Sequence, residues 1–223
     1  MTEKIAIVGA GGFGRETLQI ILDLNGIAQA WNFCGFVVVG DFAAPERVHG
    51  YPVHRGAQWI GDNPDVRLVV AIGNPAARRK VVRELGPYGN RFATLIHPRA
   101  WFGTDVAFGS GSIVCAGATL TTTVRLGSHV HVNPNCTIGH DAKLDDFATL
   151  YPSVSVSGHV HLCEGVECGV GTRLIPRVTV GEWSILGAGS VVTRSLPANI
   201  TAVGVPARIV KTRRPGWHEA EAA

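Results

Sequence analysis

A histidine followed directly by a carboxylate, in Gly139-His140-Asp141, is the pair in this chain whose chemistry packing explains least. An imidazole titrates near neutrality and can take a proton from an attacking nucleophile, while an adjacent carboxylate can orient the ring. A second constellation stands near the start, where Ile5-Ala-Ile-Val8 runs into Gly9-Ala-Gly11-Gly12-Phe-Gly14. Such a loop, opening a helix, points backbone N–H groups at a pyrophosphate, and its glycines allow close approach. A third is Gly73-Asn74-Pro75, after another apolar run and with Arg78 and Arg79 one turn further on.

The middle of the chain must position these groups through a six-residue beat. From Phe102 to Val192, sixteen consecutive hexads carry a bulky apolar residue, or Cys168, at the same phase without insertion. Two positions earlier the residue is small or short, as at Ala118, Val130, Cys136 and Ala142. A spacing of two is a strand alternation, so both positions face a core. The residue after the bulky one is often Gly, Asn, Asp or Ser, which predicts a corner there. Short strand and corner every six residues is the pattern of a hexapeptide β-helix. Three strands, 18 residues, close one triangular coil, so residues 95–198 should form between five and six coils. A β-sandwich would need turns every 8–12 residues instead. The segment Ser195 to Lys211, with Pro197 and Pro206, is expected to cap the far end, and residues 199–223 form cap and tail.

Residues 1–94 read as a separate small α/β domain of Rossmann-like βαβ type. Ile5–Val8, Phe33–Val39 and Leu68–Ile72 are its strands, with helices after the glycine loop (Leu18, Ile21 and Leu22 at helical spacing) and from Pro75 to Leu85. A nicotinamide-dependent dehydrogenase would want a carboxylate at the end of the second strand and a separate catalytic domain. Here that strand ends in Val37-Val38-Val39, with Asp41 late. A nucleotide-sugar diphosphate suits the loop better. No apolar run reaches about 18 residues, and neither a membrane span nor a signal peptide is indicated. The five cysteines include no CxxC pair, and Cys136 and Cys168 fall at inward positions, so reduced, packed thiols and a cytoplasmic location are expected. A net charge of +3 with scattered signs does not describe a nucleic-acid surface.

The hexad phase also sorts the histidines. His129, His131, His159 and His161 fall at the third and fifth positions, which point outward, toward solvent or an interface. His140 sits at the second position, beside a corner, and Gly158 stacks on it one coil later.

With Leu95-Ile-His-Pro98 opening the repeat, Gly-His-Asp at its middle and Ala202-Val-Gly-Val-Pro-Ala-Arg208 closing it, the chain resembles a known family. This is the hexapeptide acyltransferase family that modifies nucleotide-linked amino sugars, of sialic-acid O-acetyltransferase and UDP- or GDP-amino-sugar N-acetyltransferase type. The resemblance runs from Ile5 to about Lys211 and implies a left-handed parallel β-helix. It implies an acetyl-CoA-dependent N-acetyltransferase acting on the amine of a GDP-, UDP- or dTDP-linked 4-amino-4,6-dideoxy sugar, without metal, in surface glycan (lipopolysaccharide) biosynthesis. It makes His140 the general base, Asp141 its tuning partner and Gly158 the N–H donor to the oxyanion. Asn133 shapes the acceptor pocket, while Gly9, Gly11, Gly12, Gly14, Gly73 and Asn74 take the sugar nucleotide. Gly171, Pro206 and Ala207 lie by the coenzyme A groove, where Arg208 or Lys211 meets a phosphate. Two departures stand out: Thr149 occupies the place of a second histidine, and Val38 and Val39 replace an acidic pair, with Asp41 as substitute.

The resemblance implies a homotrimer with active sites between subunits. Ile113, Phe147, Trp183 and Ile185 fall outward on one face and are expected to form a contact surface. Three other functions compete: O-acetylation of a sugar hydroxyl such as that of sialic acid, a trimeric β-helix metalloenzyme, and a silent sugar-nucleotide sensor. The metalloenzyme is disfavoured because His129/His131 and His159/His161 are 30 residues apart, which is not a multiple of 18.

Overall fold

The computed structural model describes residues 2–40 and 42–221, so Asp41 lies outside the described residues. The first part is a five-stranded sheet: β1 (Glu3–Val8), β2 (Trp31–Val38), β3 (Arg47–Val48), β4 (Tyr51–Arg55) and β5 (Val66–Val70), in the order β3-β4-β2-β1-β5. Helices α1 (Gly12–Ile27) and α3 (Pro75–Glu84) follow β1 and β5, and α2 (Gly56–Asp62) follows β4. The β3–β4 hairpin and α2 are additions to the expected βαβ unit; their short, weakly alternating sequence carries no strong period. Strand order reverses at β1, with β2 on one side and β5 on the other. The crevice above the ends of β1 and β5 is therefore where such a sheet takes its ligand.

β6 (Leu95–Ile96) opens the repeat, and sixteen two-residue strands follow from β7 (Trp101–Phe102) to β22 (Val191–Val192). Pairing is parallel with partners 18 apart, as in Thr119↔Thr137↔Ser155. The strands form three faces. The first carries Ile113, His131, Thr149, Glu167 and Ile185; the second Thr119, Thr137, Ser155, Arg173 and Val191; the third Arg125, Lys143, His161 and Thr179. The ladder residues from Val114 to Val192 are buried. Phe102 is exposed and Phe108 half-buried, because no coil lies beneath the first one, and the two rings meet edge to face. β23 (Ile200–Val203) and β24 (Arg208–Thr212) extend the first face and close it with an antiparallel turn, and α4 (Trp217–Glu221) ends the described chain.

The corners work differently from the sequence expectation. The residue in left-handed conformation is the third after the bulky one, for instance Asn135, Asp141 and His159 at φ 60, 60 and 58°. Glycine immediately after the bulky residue answers a different need: a Cβ on Gly139 would stand 2.6 Å from the Gly158 nitrogen of the next coil. Close stacking of corners, rather than unusual φ, selects it.

Three of the four residues nominated for subunit contact are covered by the chain itself, while Ile185 stays half-buried beside Thr201 of β23. Ile113 packs with Ile5, Leu18 and Phe36 of the N-terminal domain, and Phe147 and Trp183 pack with Ala76 of α3 and Trp217 of α4. His129 and His131 point outward from the coil, but the same domain buries them. At the centre of this contact is Arg78, wholly buried. Its Nε donates to His129 O, one terminal nitrogen to Ile72 O, Gly73 O and His131 Nδ1, and the other to Phe147 O and Thr149 Oγ1. Among the described residues no carboxylate touches it, and burial pulls its pKa down to about 9, so the guanidinium stays charged at neutral pH. His131 accepts at Nδ1 and donates from Nε2 to Val70 O, which fixes a neutral tautomer. His97 makes a second tie, with its Nε2 2.7 Å from Asp23 Oδ2 of α1.

This contact has a pH dependence of defined sign. Burial, then the charge of Arg78, pushes His129 down to about 4 and His131 well below its ordinary value. The unfolded chain binds these protons near pH 6.5 and the folded chain does not, so stability is full above 6.5 and falls as pH drops toward 4. His129 alone accounts for about 3 kcal/mol across that window. Urea midpoints are expected to fall steadily from pH 7 to 4.5; a midpoint constant over that range would contradict the buried neutral assignment.

Candidate active site

His140 follows the strand Thr137–Ile138 at the corner between the second and third faces. Asp141 takes the left-handed position, which Asp tolerates better than most residues, and this turns its carboxylate back to the ring. Nδ1 of His140 lies 2.7 Å from Asp141 Oδ2. That bond outweighs the opposing effect of burial and holds the carboxyl below the usual carboxylate range, with the nearby charge of His159 adding to it. With Nδ1 engaged, Nε2 is the ring nitrogen left to face a substrate.

Gly158 lies directly beside that nitrogen. A Cβ there would stand 2.7 Å from Nε2 and 2.8 Å from Cε1, so only glycine leaves the imidazole its place. Its N–H donates to no other described residue, while its carbonyl accepts from Arg177 N. A free N–H beside a base is what a developing oxyanion would use.

The sequence reading missed His159. It stands one coil beyond Asp141, with Nε2 3.6 Å from Asp141 Oδ2 and its ring edge-on to His140 at 5.1 Å. The 18-residue step from Asp141 was the available signal, obscured because third-position residues were treated alike as outward.

The glycine loop adjoins Gly73-Asn74 at the ends of β1 and β5. Gly9 has φ +112°, and a Cβ there would meet Ala71 O at 2.9 Å; Gly14 is held glycine by contact with Gly9 O. Around Gly11 and Gly12 space is open, at the N-terminus of α1. Arg15, Glu16, Gln19 and His49 line a shallow pocket beside Gly12. Asn74 caps α3 by accepting from Ala77 N. At the end of β2, Val38 is buried, and this apolar end offers no carboxylate among the described residues.

The remaining named residues gather at a different corner. Asn133, between the first and second faces, donates to Leu150 O. Gly171 stands on the same corner two coils on, with open space beside it. The segment holding Pro206 and Ala207 packs there too, through Ala207 N to Val191 O, and Arg208 and Lys211 are exposed on β24. Within one chain, the Gly73 loop reaches this corner, where a Cβ on Gly73 would stand 4.0 Å from the Tyr151 hydroxyl, and His140, Asp141 and Gly158 occupy the next corner.

Cys136 and Cys168 are buried inside the coil as expected, and burial pushes the Cys136 thiol up to about 11, which suits packing rather than nucleophilic attack. Among the described residues, His140, Asp141 and His159 form one group with three ligand-type atoms within 4.8 Å, and Asp145, His161 and Cys163 form another. In the second group Asp145 already holds Lys143 and His161 at 2.9 and 2.7 Å. His131 and His161 are on different faces.

A coil of parallel hexads bearing an imidazole–carboxylate pair beside a free N–H, preceded by a small nucleotide-type sheet, defines a hexapeptide-repeat acetyltransferase that draws on acetyl-CoA. The comparisons narrow the class. The PglD N-terminal domain family matches residues 4–85. PerB from Caulobacter crescentus, solved with CoA and GDP-perosamine, is 31% identical, with 95% of this chain and 99% of that chain covered at a TM-score of 0.83. The acetyltransferase domain of PglB from Neisseria gonorrhoeae FA1090, solved with acetyl coenzyme A, is 28% identical over 94% of this chain and 100% of its own, also at 0.83. The galactoside O-acetyltransferase of Escherichia coli K12 is 30% identical over 154 residues, 60% of this chain and 68% of that protein. The chain belongs to the hexapeptide-repeat sugar-nucleotide acetyltransferase family.

Proposed function

We propose that this protein transfers the acetyl group of acetyl-CoA to the amino group of a nucleotide-linked 4-amino-4,6-dideoxy sugar. The observation that carries this is the His140–Asp141 pair over the free Gly158 N–H, in a chain whose N-terminal sheet keeps an open glycine loop at its switch point. Nε2 of His140 takes the proton as the sugar amine attacks the thioester carbonyl. Asp141 stabilises the imidazolium, and Gly158 N–H receives the oxyanion. Collapse of the tetrahedral intermediate expels the CoA thiolate, which takes up the proton. Likeness to PerB, whose complex holds GDP-perosamine, supports an amine acceptor and includes GDP among the candidate nucleotides.

The two corners bear on assembly. With base and substrate loops on successive corners, the site is completed when the corner of one copy that carries Gly73, Asn133 and Gly171 meets the His140 corner of another. Three copies around an axis satisfy this for every subunit, so the enzyme acts as a homotrimer. A cytoplasmic enzyme supplying surface-polysaccharide synthesis is part of this reading, and the buried free thiols of Cys115, Cys136 and Cys168 support it.

Release of CoA from acetyl-CoA, followed with a panel of GDP-, UDP- and dTDP-linked amino sugars, tests the reading. Turnover with at least one amine acceptor is expected. Turnover only with hydroxyl acceptors such as sialic acid or a galactoside would replace N- by O-acetylation, the activity in the name of the E. coli relative.

A further inference from the structure

Asp141, His159 and Arg177 succeed one another at 18-residue steps on one corner, each left-handed, at φ 60, 58 and 66°. Their side chains therefore leave the coil in one column, and the carboxylate of the first lies between two imidazoles. Oδ2 of Asp141 is 2.7 Å from His140 Nδ1 and 3.6 Å from His159 Nε2. The longer distance is too great for a hydrogen bond but within reach of an ion pair once His159 carries a proton. All three side chains are substantially solvent-exposed in the single chain, so both imidazoles can exchange protons. Among the described residues, the charged groups on the adjoining coil and strands are Arg177 one coil on, Arg173 on the second face, turned to Gly171 O, and Lys143 and His161 on the third face, both engaged by Asp145.

We propose that His159 is a positioning residue for acetyl transfer, setting through the shared Asp141 carboxylate how far into acid His140 remains a working base. This rests on His140 being that base. Two imidazolium rings with centres 5.1 Å apart repel each other, and one carboxylate cannot pair fully with both. A proton held on His159 therefore disfavours a second on His140.

The test compares His159→Gln, which keeps size and polarity without charge, with His159→Arg, which holds the charge permanently. The acid limb of the kcat/KM profile should move up by about half to one pH unit in His159→Gln and down in His159→Arg, with KM for acetyl-CoA changed less than twofold. NMR titration of the His140 ring protons in the intact protein should show the same opposed shifts without turnover. Acid limbs and ring titrations that stay put in both variants, with His140→Ala inactive, would overturn the role of His159 and leave the base in place. Near-normal turnover in His140→Ala would overturn the base and this role together.

Discussion

His140→Ala is expected to lower kcat/KM by about 10^2 to 10^4, the range over which positioned acid–base catalysis contributes. Without the imidazole the acceptor amine must arrive neutral or lose its proton to water, so the residual rate should climb with pH where the parent enzyme is level. The fold should survive, because the side chain stands outward at a corner and its one polar partner, Asp141, is itself solvent-exposed. Steady-state kinetics beside a thermal melt would separate the two effects. A loss below threefold with an unchanged melting temperature would remove His140 from the role. A collapsed melt would mean that the corner needs the imidazole to fold, and His140→Gln would then carry the test.

The second large effect is on stability and concerns a residue distant from the proposed chemistry. Arg78→Met should cost about 3–5 kcal/mol, enough to lower the melting temperature by roughly 10 °C in a chain of this size. The guanidinium is the donor for four carbonyls, the Thr149 hydroxyl and the His131 ring, and Met would leave these acceptors buried without partners. Relief from burying a charge offsets part of the loss, which is why the sum stays below that of six separate bonds. Arg78→Lys should fall between, since three donors on one nitrogen cannot span acceptors on both sides of the contact. Urea unfolding measures both variants, and a change under 1 kcal/mol in Arg78→Met would show that the N-terminal domain and the coil are held by their apolar contact alone.

Arg78 also marks the limit of the sequence reading. In the sequence it is an arginine one turn into the helix after Gly73-Asn74-Pro75, and in the structure it clamps that loop onto the coil. Its partners on the coil lie 51 to 71 residues further along the chain, a separation no local pattern encodes. Thr149 is explained by the same contact, because its hydroxyl receives the guanidinium. His129, His131, Ile113, Phe147 and Trp183 share this feature: the phase places them outside the coil, but the partner expected for Ile113, Phe147 and Trp183, another subunit, is instead the chain's own N-terminal domain and α4.

The repeat arithmetic by itself settled a good deal. An 18-residue coil is a local rule repeated, so the inward ladder, the buried Cys136 and Cys168, and the stacking of Gly158 on His140 all followed from counting. The same count, carried from Asp141, leads to His159. The open glycine loop was equally legible, because a strand, its glycines and a helix are contiguous. Only the tertiary structure decided which outward face is solvent and which is domain contact, and that the Gly73 loop and His140 stand on successive corners. Those outcomes depend on how a separate sheet docks against the coil, through apolar surface and a buried guanidinium whose partners meet only once both parts are folded.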